Sequence, residues 1–443
     1  MTDTTETPRA GHGPQDRTGP PGGSPRLTGL RALEVDGRLL GMIGAFVVIC
    51  LAFHFASDGR FITPRNLFNL TIQTASVAIM ATGMVFIIVM RHIDLSVGSV
   101  LATCSAVMAM TQTAWLPALG LELGNPLLAP LAIVTGILAG AAIGALHGWL
   151  VGYLAIPAFI VTLGGLLVWR NVAWYLTNGQ TIGPLDPTFM QLGGIRGTLG
   201  ETWSWIVGLI AVALAVWTLW SARRDKVEHD FPVKPLWAEG VVAAIVAVLI
   251  LGFVAVMNAY EIPERVLARE FRARGLEMPE GLSMGYGVPY SVLLVVLVAI
   301  GMTVIARRTR FGRYIYATGG NPDAAELSGI DIRMLTVKVF ALLGALCAIS
   351  AVVASARLAN HSNDIGTLDE LRVIAAAVIG GTALKGGVGT IYGALLGALI
   401  MQSLQSGMAM VGVDAPLQNI VVGAVLVLAV LIDIWYRRSL GVK

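Results

Sequence analysis

The amino-acid sequence predicts an all-α polytopic membrane protein with about twelve transmembrane helices. Three observations support this fold class. Hydrophobic residues make up 56% of the chain and charged residues only 13%, which is far from the composition of soluble domains. Apolar runs of roughly 20 residues, long enough to cross the hydrocarbon core as helices, recur from Leu39 onward. The period of 2 that a membrane barrel needs is absent.

The predicted spans lie in a transmembrane domain of residues 38–436. In chain order they are 39–56, 67–90, 97–116, 127–152, 157–176, 203–220, 239–258, 286–305, 337–357, 371–383, 388–410 and 417–435. The run at 371–383 is short, so a half-helix or a broken helix is an alternative to a full crossing there.

The two ends of the chain are polar. Residues 1–37, rich in Pro, Gly and Thr, are expected to form a disordered cytoplasmic tail, and 437–443 a short cytoplasmic C-terminus. Lys and Arg concentrate in the tail and in the loops at 221–238 and 306–338, and positively charged loops stay on the cytoplasmic side. An even number of crossings then places both termini in the cytoplasm. The loop 259–285, with interleaved Arg and Glu, is expected to lie outside and to contain a short surface helix.

Two regions look like weak copies of one another, which predicts two weakly repeated halves. Leu95 is followed by VGSV at 97–100, and Leu384 is followed by VGTI at 388–391. Repeated halves are common in transporters, where the substrate path lies at the interface between the repeats.

Glycines recur at every fourth position in both regions. They are Gly136, Gly140, Gly144, Gly148 and Gly152, and then Gly389, Gly393 and Gly397. Residues four apart share one helix face, and small residues on that face let another helix approach closely in lipid. We expect these glycines to form helix-packing surfaces at the centre of a bundle, with generic filler as the alternative.

A polar module, GRYIYATGGNPDAAELSGI at 312–330, separates two long apolar spans. Asn321 followed by Pro322 predicts a helix start, because Asn accepts hydrogen bonds from free backbone amides and Pro suits the first helical position. Gly329 offers a left-handed exit, so a helix is expected over 322–328. Its small and apolar residues favour docking into the groove of a soluble partner, with an ordinary inter-span loop as the alternative.

This module resembles the cytoplasmic coupling segment of permease subunits of ABC importers for monosaccharides, the ribose, galactose and xylose group. The extra predicted pair 203–258 and MQSLQSGMAMVGV at 401–413 are most similar to the xylose-type members. Other segments that resemble the family, in the family order, are ITPRNLFNL (62–70), IDLSVGS (93–99), AFIVTLGG (158–165), LTNG (176–179) and VIGGTALKGGVGT (378–390).

The resemblance implies a monosaccharide permease, with xylose as the expected substrate, in the bacterial cytoplasmic (inner) membrane. It implies a homodimer in the lipid bilayer, an ABC ATPase subunit and a periplasmic or lipoprotein sugar-binding protein, and no nucleic acid. Within the coupling loop 306–336, the residues implied to couple to the ATPase are Gly320, Asn321, Pro322, Ala324, Ala325, Ser328 and Gly329.

The chain carries no G-x-x-x-x-G-K-[ST] phosphate loop. ATP and Mg²⁺ are therefore expected on the partner ATPase, and this chain is expected to have no cofactor, catalytic residue or metal site of its own. Two positions depart from the family pattern. Glu326 stands in the coupling helix where a basic residue is usual, and Arg91 and His92 precede IDLSVGS where small or acidic residues are usual.

Asp94 is the first candidate for the translocation path, because an ionised residue inside a membrane is costly and is usually functional. Ser96 and Ser99 lie close to it in the sequence. This polar kink can line or gate the path, or Asp94 can cap the helix that begins near Val97, and the two roles are compatible.

Arg170 and Asn171 are the other candidates for the path and lie near the outer end of a predicted span. Arg170 either snorkels to the outer interface or lines the path or an ion pair. His147 is expected to be satisfied by neighbouring helices rather than to carry protons. The alternative function is a secondary transporter driven by an ion gradient, with Asp94 as its ion or proton site. An intramembrane enzyme is disfavoured, because no paired catalytic constellation is present.

Overall fold

The computed structural model describes residues 37–439, apart from 232, 274 and 280. Residues 1–36 of the predicted tail (1–37) and residues 440–443 of the predicted C-terminus (437–443) lie outside the described residues. Within the described ranges the regular structure is helical, with three isolated β-bridges between loops.

The helices, in chain order, are α1 (Gly37–Ala56), α2 (Pro64–Val89), α3 (Val97–Met110), α4 (Leu128–Gly152), α5 (Ala158–Thr177), α6 (Pro187–Met190), α7 (Gly200–Glu228), α8 (Leu236–Asn258), α9 (Glu264–Ala273), α10 (Tyr290–Arg308), α11 (Arg310–Gly320), α12 (Pro322–Leu327), α13 (Ile332–Leu358), α14 (Asp369–Ile379), α15 (Ile391–Met410) and α16 (Ala415–Ser439). A π-helical turn (Thr111–Trp115) and a 3-10 turn (Pro117–Leu119) extend α3.

In the described part of the chain, nine helices are long and apolar enough to cross a membrane. The predicted run at 371–383 is α14, an 11-residue helix of about 16 Å, roughly half the thickness of the hydrocarbon core. The other predicted spans overlap helices of 19 residues or more, once α3 is taken with its two turns. The loop 259–285 contains the short helix α9, as its charge pattern predicts.

The core of the bundle is built from α2, α3 and α13, whose apolar residues are largely buried. By contrast, α1, α7, α8 and α10 expose most of their apolar side chains. Lipid hydrocarbon is as apolar as these side chains, so their exposure carries no penalty in a bilayer. The peripheral helices therefore present a lipid-facing surface around a buried centre.

The helices α4 and α13 lie exceptionally close together along the first glycine series. A Cβ atom built on Gly140 or on Gly144 would overlap the carbonyl group of Gly344 or of Phe340 on α13. A Cβ on Gly148 would lie 2.6 Å from the Cα of Val337. Gly136 differs, because it faces the side chain of Met108 on α3. Only glycine permits this backbone approach.

The second glycine series divides between two neighbours. Gly393 and Gly397 of α15 contact α14, where a Cβ would overlap the carbonyls of Gly380 and Ala376. Gly389 precedes α15, which begins at Ile391 with Thr390 as its cap, and lies against valine side chains of α2. The three glycines therefore do not share one helix face.

The extra helix pair, α7 and α8, packs at the edge of the bundle. Arg223 and Glu239 form an ion pair of 2.8 Å between the two helices. The pair docks on the N-terminal half of α2 through Phe68, whose ring lies 5.1 Å from that of Tyr260. Its remaining surface is apolar and exposed.

Candidate functional site

The two ends of the helix bundle differ: one lies close to the short helix α12, and the other contains a polar cavity. At one end, which we call the coupling end, α2 finishes and α13 and α15 begin, close to the short helix α12. At the other end, which we call the cavity end, α2 begins and α13 and α15 finish around a polar cavity. The candidate residues of the sequence divide between these ends and the segment that joins α2 to α3.

Asp94 lies in that joining segment, 90–96, and its side chain is 4% exposed. Its Oδ1 accepts hydrogen bonds from the amide of Ser96 at 2.7 Å and from the hydroxyl of Ser96 at 2.6 Å. The cap position of α3 is Ser96 itself, and its side chain makes no capping hydrogen bond. Asp94 therefore fixes the residue before the helix rather than the first helical turn.

His147 of α4 extends this contact to α5. Its Nε2 accepts a hydrogen bond of 2.8 Å from the indole N–H of Trp169, so in the neutral ring Nδ1 carries the proton. That Nδ1 lies 3.4 Å from the hydroxyl of Ser96. Asp94, Ser96, His147 and Trp169 form a continuous buried polar chain, in which both nitrogens of His147 have a partner. Neighbouring helices thus supply the partners that the sequence predicts for this histidine.

Ser99, the third member of the predicted polar kink, is buried on α3. Its carbonyl accepts from the hydroxyl of Thr103, at 3.1 Å, and the same hydroxyl donates to the carbonyl of Trp169, at 2.7 Å. Ser99 therefore belongs to the contact between α3 and α5 and not to the open cavity.

Arg170 of α5 forms hydrogen bonds to the backbone of the loop between α13 and α14. Its Nη1 donates to the carbonyls of Asn363, at 2.9 Å, and Ile365, at 2.6 Å, in the segment 359–368 between α13 and α14. Asn171 is exposed and donates to the carbonyl of Leu167 in its own helix. The two neighbouring candidates therefore diverge, and only Arg170 touches an element of the cavity.

The cavity at the cavity end has a volume of about 460 Å³. It lies between the start of α2, the ends of α13 and α15, the start of α14 and the segment 359–368. Its polar lining includes Gln73, Arg357, Asp369, Arg372, Gln402 and Gln405. None of these residues is among the candidates predicted from the sequence, although polar glutamines inside apolar runs are a signal that could have identified them. Asp94, Ser96 and Ser99 do not line this space.

The short helix α12 at the coupling end has the predicted caps. The Oδ1 of Asn321 accepts from the amide of Ala324 at 3.1 Å, and Pro322 occupies the first helical position. Gly329 follows with a left-handed φ of +83°. The hydroxyl of Ser328 donates to the carbonyl of Ala324 at 2.7 Å, which closes the last turn.

The side chains of α12 divide into an inner and an outer face. Ala325 is 4% exposed and packs inward, whereas Leu327 is 90% exposed. Glu326 and Ala324 are also exposed. The free surface of the helix is therefore centred on Leu327, which is not among the coupling residues implied by the family resemblance.

Arg91 connects α2 to the segment that carries α12. Its backbone is left-handed, with φ of 66°, and its Nε donates to the carbonyl of Gly319 and its Nη2 to the carbonyl of Gly320, both at 2.9 Å. Close by, the carbonyl of Val89 accepts from the amide of Gly387 at 3.0 Å. The unusual residue at position 91 thus joins three elements at the coupling end.

Among the described residues, no group of three or more His, Cys, Asp or Glu side chains is arranged to hold a metal ion.

Sequence comparison decides the family. Residues 66–430 match the family model described as branched-chain amino acid transport system / permease component. The chain belongs to this permease family. The polar chain around Asp94, the cavity and α12 all lie inside the matched residues.

Relatives of this permease cover nearly its whole length. It is 37% identical over 412 residues to the xylose transport system permease protein of Escherichia coli (strain K12), covering 93% of this chain and 95% of that protein. It is 37% identical over 401 residues to the protein of the same name from Haemophilus influenzae, covering 90% of this chain and 96% of that protein. It is 31% identical over 387 residues to the ribose import permease protein of E. coli (strain K12), covering 87% and 91%. No solved structure matches.

The resemblance inferred from the short motifs is thereby confirmed. The permease is a multi-pass membrane transport component, and its extra pair α7 and α8 lies within the residues 66–430 that match the family model.

Proposed function

We propose that this permease is the membrane subunit of an ATP-driven ABC importer for a monosaccharide, with xylose as its substrate. The names of its relatives support the class of solute, since two are xylose permeases and one is a ribose permease. The higher identity to the xylose proteins favours xylose over ribose.

The observation that carries this proposal is the exposed apolar side chain of Leu327 on a capped helix flanked by basic residues. Arg307, Arg308, Arg310 and Arg313 precede the helix, and positively charged loops remain cytoplasmic. A cytoplasmic leucine that is 90% exposed on a capped helix suits a partner with an apolar groove, in the manner of a helix docking into a groove. The ATPase subunit is that partner, and it binds ATP and Mg²⁺.

The orientation follows from this assignment. The coupling end faces the cytoplasm, with both termini on that side, and the cavity end faces outward across the inner membrane. A sugar-binding protein delivers its ligand to the cavity end. The loops expected to contact the binding protein are 57–66, 177–202, 259–285 and 358–370, and the last of these lines the cavity. Loop 177–202 is joined to it by the bridge between Ile182 and His361.

Two copies of the permease work with two ATPase copies. ATP binding closes the ATPase pair, and α12 passes this motion through Arg91 to the segment 90–96 and its buried polar chain. A sugar is neutral and rich in hydroxyls, so its path needs hydrogen-bonding groups more than charge.

The test is ATPase activity in liposomes that contain the permease and its ATPase. Xylose-loaded, ribose-loaded and empty binding proteins are added in parallel. We expect stimulation by the xylose-loaded form above the other two. Stimulation by the ribose-loaded form instead would reassign the sugar. No stimulation by any form in an intact complex, with uptake by the permease alone along a pH or sodium gradient, would favour a secondary transporter.

A further inference from the structure

We propose that the cavity at the cavity end is a binding site for a single neutral polyhydroxylated molecule of the monosaccharide class. We propose further that the hydrogen-bonded pair Gln73 and Gln402 closes its inner wall. The inference rests on the proposed function and names the residues that receive the sugar.

The size of the cavity fits a small ligand. Its volume of about 460 Å³ lies within the range of roughly 300–1,000 Å³ that is usual for small-molecule sites. It is bounded by five helices, α2, α13, α14, α15 and α16, and by one loop, so a ligand inside it would be contacted from several sides.

The charges that line the cavity balance one another. Arg357 and Arg372 carry positive charge, and Asp364 and Asp369 carry negative charge. Arg372 and Asp369 form an ion pair with 2.9 Å between Nη1 and Oδ1. Because the formal charges cancel, the site offers no excess charge to hold an anionic or a cationic ligand. A neutral ligand can bind without an excess of charge in its site.

The uncharged polar lining suits hydroxyl groups. Gln73, Gln402, Gln405 and Gln418 each present a side-chain amide, which offers both donors and an acceptor. A sugar hydroxyl also donates and accepts, so it can pair with either half of an amide. The four amides around one space therefore match the several donors and acceptors of a polyol.

The inner wall is closed by two hydrogen-bonded pairs that join α2 to its neighbours. The Nε2 of Gln402 on α15 donates to the Oε1 of Gln73 at 3.0 Å. One helical turn further along α2, the hydroxyl of Ser76 lies 2.7 Å from that of Ser350 on α13. Gln402 is the lining residue of α15 closest to the coupling end. Inward passage of a ligand therefore requires α2 and α15 to separate here, and ligand hydroxyls can replace the broken amide contact.

Arg170 stabilises the segment 359–368, which forms one side of the cavity, through hydrogen bonds to its backbone. This residue bonds the carbonyls of Asn363 and Ile365, and Ile365 and its neighbours Asp364 and Gly366 line the space. Arg170 is thus a positioning residue for the site, without contacting the ligand.

The first test measures ligand entry in the permease itself. Ser406, which lines the cavity, is replaced as Ser406→Cys, and labelling by a membrane-impermeant maleimide is timed. The native cysteines Cys50, Cys104 and Cys347 are buried, which keeps the background low. We expect millimolar xylose to slow the labelling and its sugar acid, xylonate, to have no effect. Equal rates with and without xylose would overturn the proposed site, and equal protection by xylonate would overturn its preference for neutral ligands.

The second test uses the complete transporter with Gln73→Leu and Gln402→Leu. We expect each variant to import about fivefold to tenfold less xylose per ATP hydrolysed, since each loses amide hydrogen bonds to the sugar. Stimulation of the ATPase by the loaded binding protein should persist, because docking occurs at other surfaces. Asn171→Leu, at an exposed amide of α5 that lies outside the cavity and outside the candidate contact loops, is the matched control.

An unchanged ratio of xylose to ATP in both variants would overturn the role of the glutamines. Failure of the proposed importer function has a different signature. There, the unmodified transporter would show no stimulation by any binding protein, whereas the labelling of Ser406→Cys reports on the cavity independently.

Discussion

The guanidinium group of Arg91 donates a hydrogen bond of 2.9 Å to the carbonyl of Gly319, although 228 positions of sequence separate the two residues. A second bond reaches the carbonyl of Gly320, directly before the cap residue of α12. Arg91 also begins the segment that leads to Asp94. One side chain thus connects the proposed docking helix to the buried polar chain between α2 and α3, and this connection can be tested directly.

Replacing Arg91 should separate ATP hydrolysis from transport. We expect Arg91→Gln to reduce the stimulation of the ATPase by loaded binding protein, with assembly of the complex retained. Arg91→Lys should restore only part of it, because an ammonium group lacks the planar fork that bonds two carbonyls. The ratio of stimulated to basal ATPase activity is the measurement. Arg308→Gln, at an exposed arginine at the end of α10, is the control, and equal losses in both would contradict this assignment.

Leu327 should be needed for binding the ATPase. We expect Leu327→Asp to weaken the affinity of the permease for its ATPase by about 30-fold, as removal of an apolar anchor from an interface does. Because this side chain is 90% exposed, the variant should fold and insert normally. Leu236→Asp, at another exposed leucine, is the control. Co-purification of the ATPase measures the effect, and unchanged binding would argue against docking through this face.

The contact of α4 with α13 should be intolerant of a single methyl group. We expect Gly144→Ala to lower the free energy of unfolding by about 1–3 kcal/mol, because the added Cβ overlaps the carbonyl of Phe340. Gly164→Ala on α5 adds the same methyl group where no atom lies within 4 Å, so it should not destabilise the protein. Thermal unfolding in detergent compares the two variants. Equal midpoints would show that α4 and α13 adjust at little cost.

Asp94 should act as a hydrogen-bond acceptor that fixes the start of α3. Asp94→Asn retains an oxygen for the amide and hydroxyl of Ser96, so we expect uptake close to that of the native protein. Asp94→Ala removes both bonds and should lower uptake at least about tenfold. Uptake assays in liposomes distinguish the variants. Loss of uptake in Asp94→Asn would point instead to an ionised carboxylate, as a proton or ion carrier requires.

The loop between α13 and α14 should be sensitive to acid through His361. Burial lowers the pKa of His361 to about 4, from an ordinary value of 6.5, and its Nδ1 lies 3.0 Å from the hydroxyl of Ser105. The unfolded chain then binds a proton between pH 6.5 and 4 that the folded chain does not, so stability is lost as the pH falls through this window. We expect the unfolding midpoint of His361→Asn to depend less on pH there than that of the native protein. If the unfolding midpoints of the variant and the native protein change equally with pH, His361 is not the cause of the acid sensitivity.

Local sequence signals predicted the helical elements well. The caps of α12 follow from Asn321, Pro322 and Gly329 alone, because capping involves residues within four positions of one another. The short run that became α14 was also visible as a run too short for a crossing. The number of crossings and the orientation remain predictions.

The roles of single polar residues were harder to predict. Arg170 had three possible roles in the sequence, and in the structure it bonds loop carbonyls about 190 positions away. Ala325 and Leu327 are both apolar members of one short helix, yet only their packing decides that the first faces inward and the second outward. Nothing in the sequence around Gln73 or Gln402 predicts that their side chains form a hydrogen bond.

Hydropathy and helix capping are properties of neighbouring residues, so the order of amino acids alone predicts a helical membrane protein with a capped helix between two spans. The position of the cavity, the side chains that line it and the contacts of Arg91 and Arg170 are visible in the three-dimensional structure alone. These features depend on contacts between helices far apart in the chain, such as Gln73 with Gln402 across 329 positions, and no local pattern encodes such a pairing.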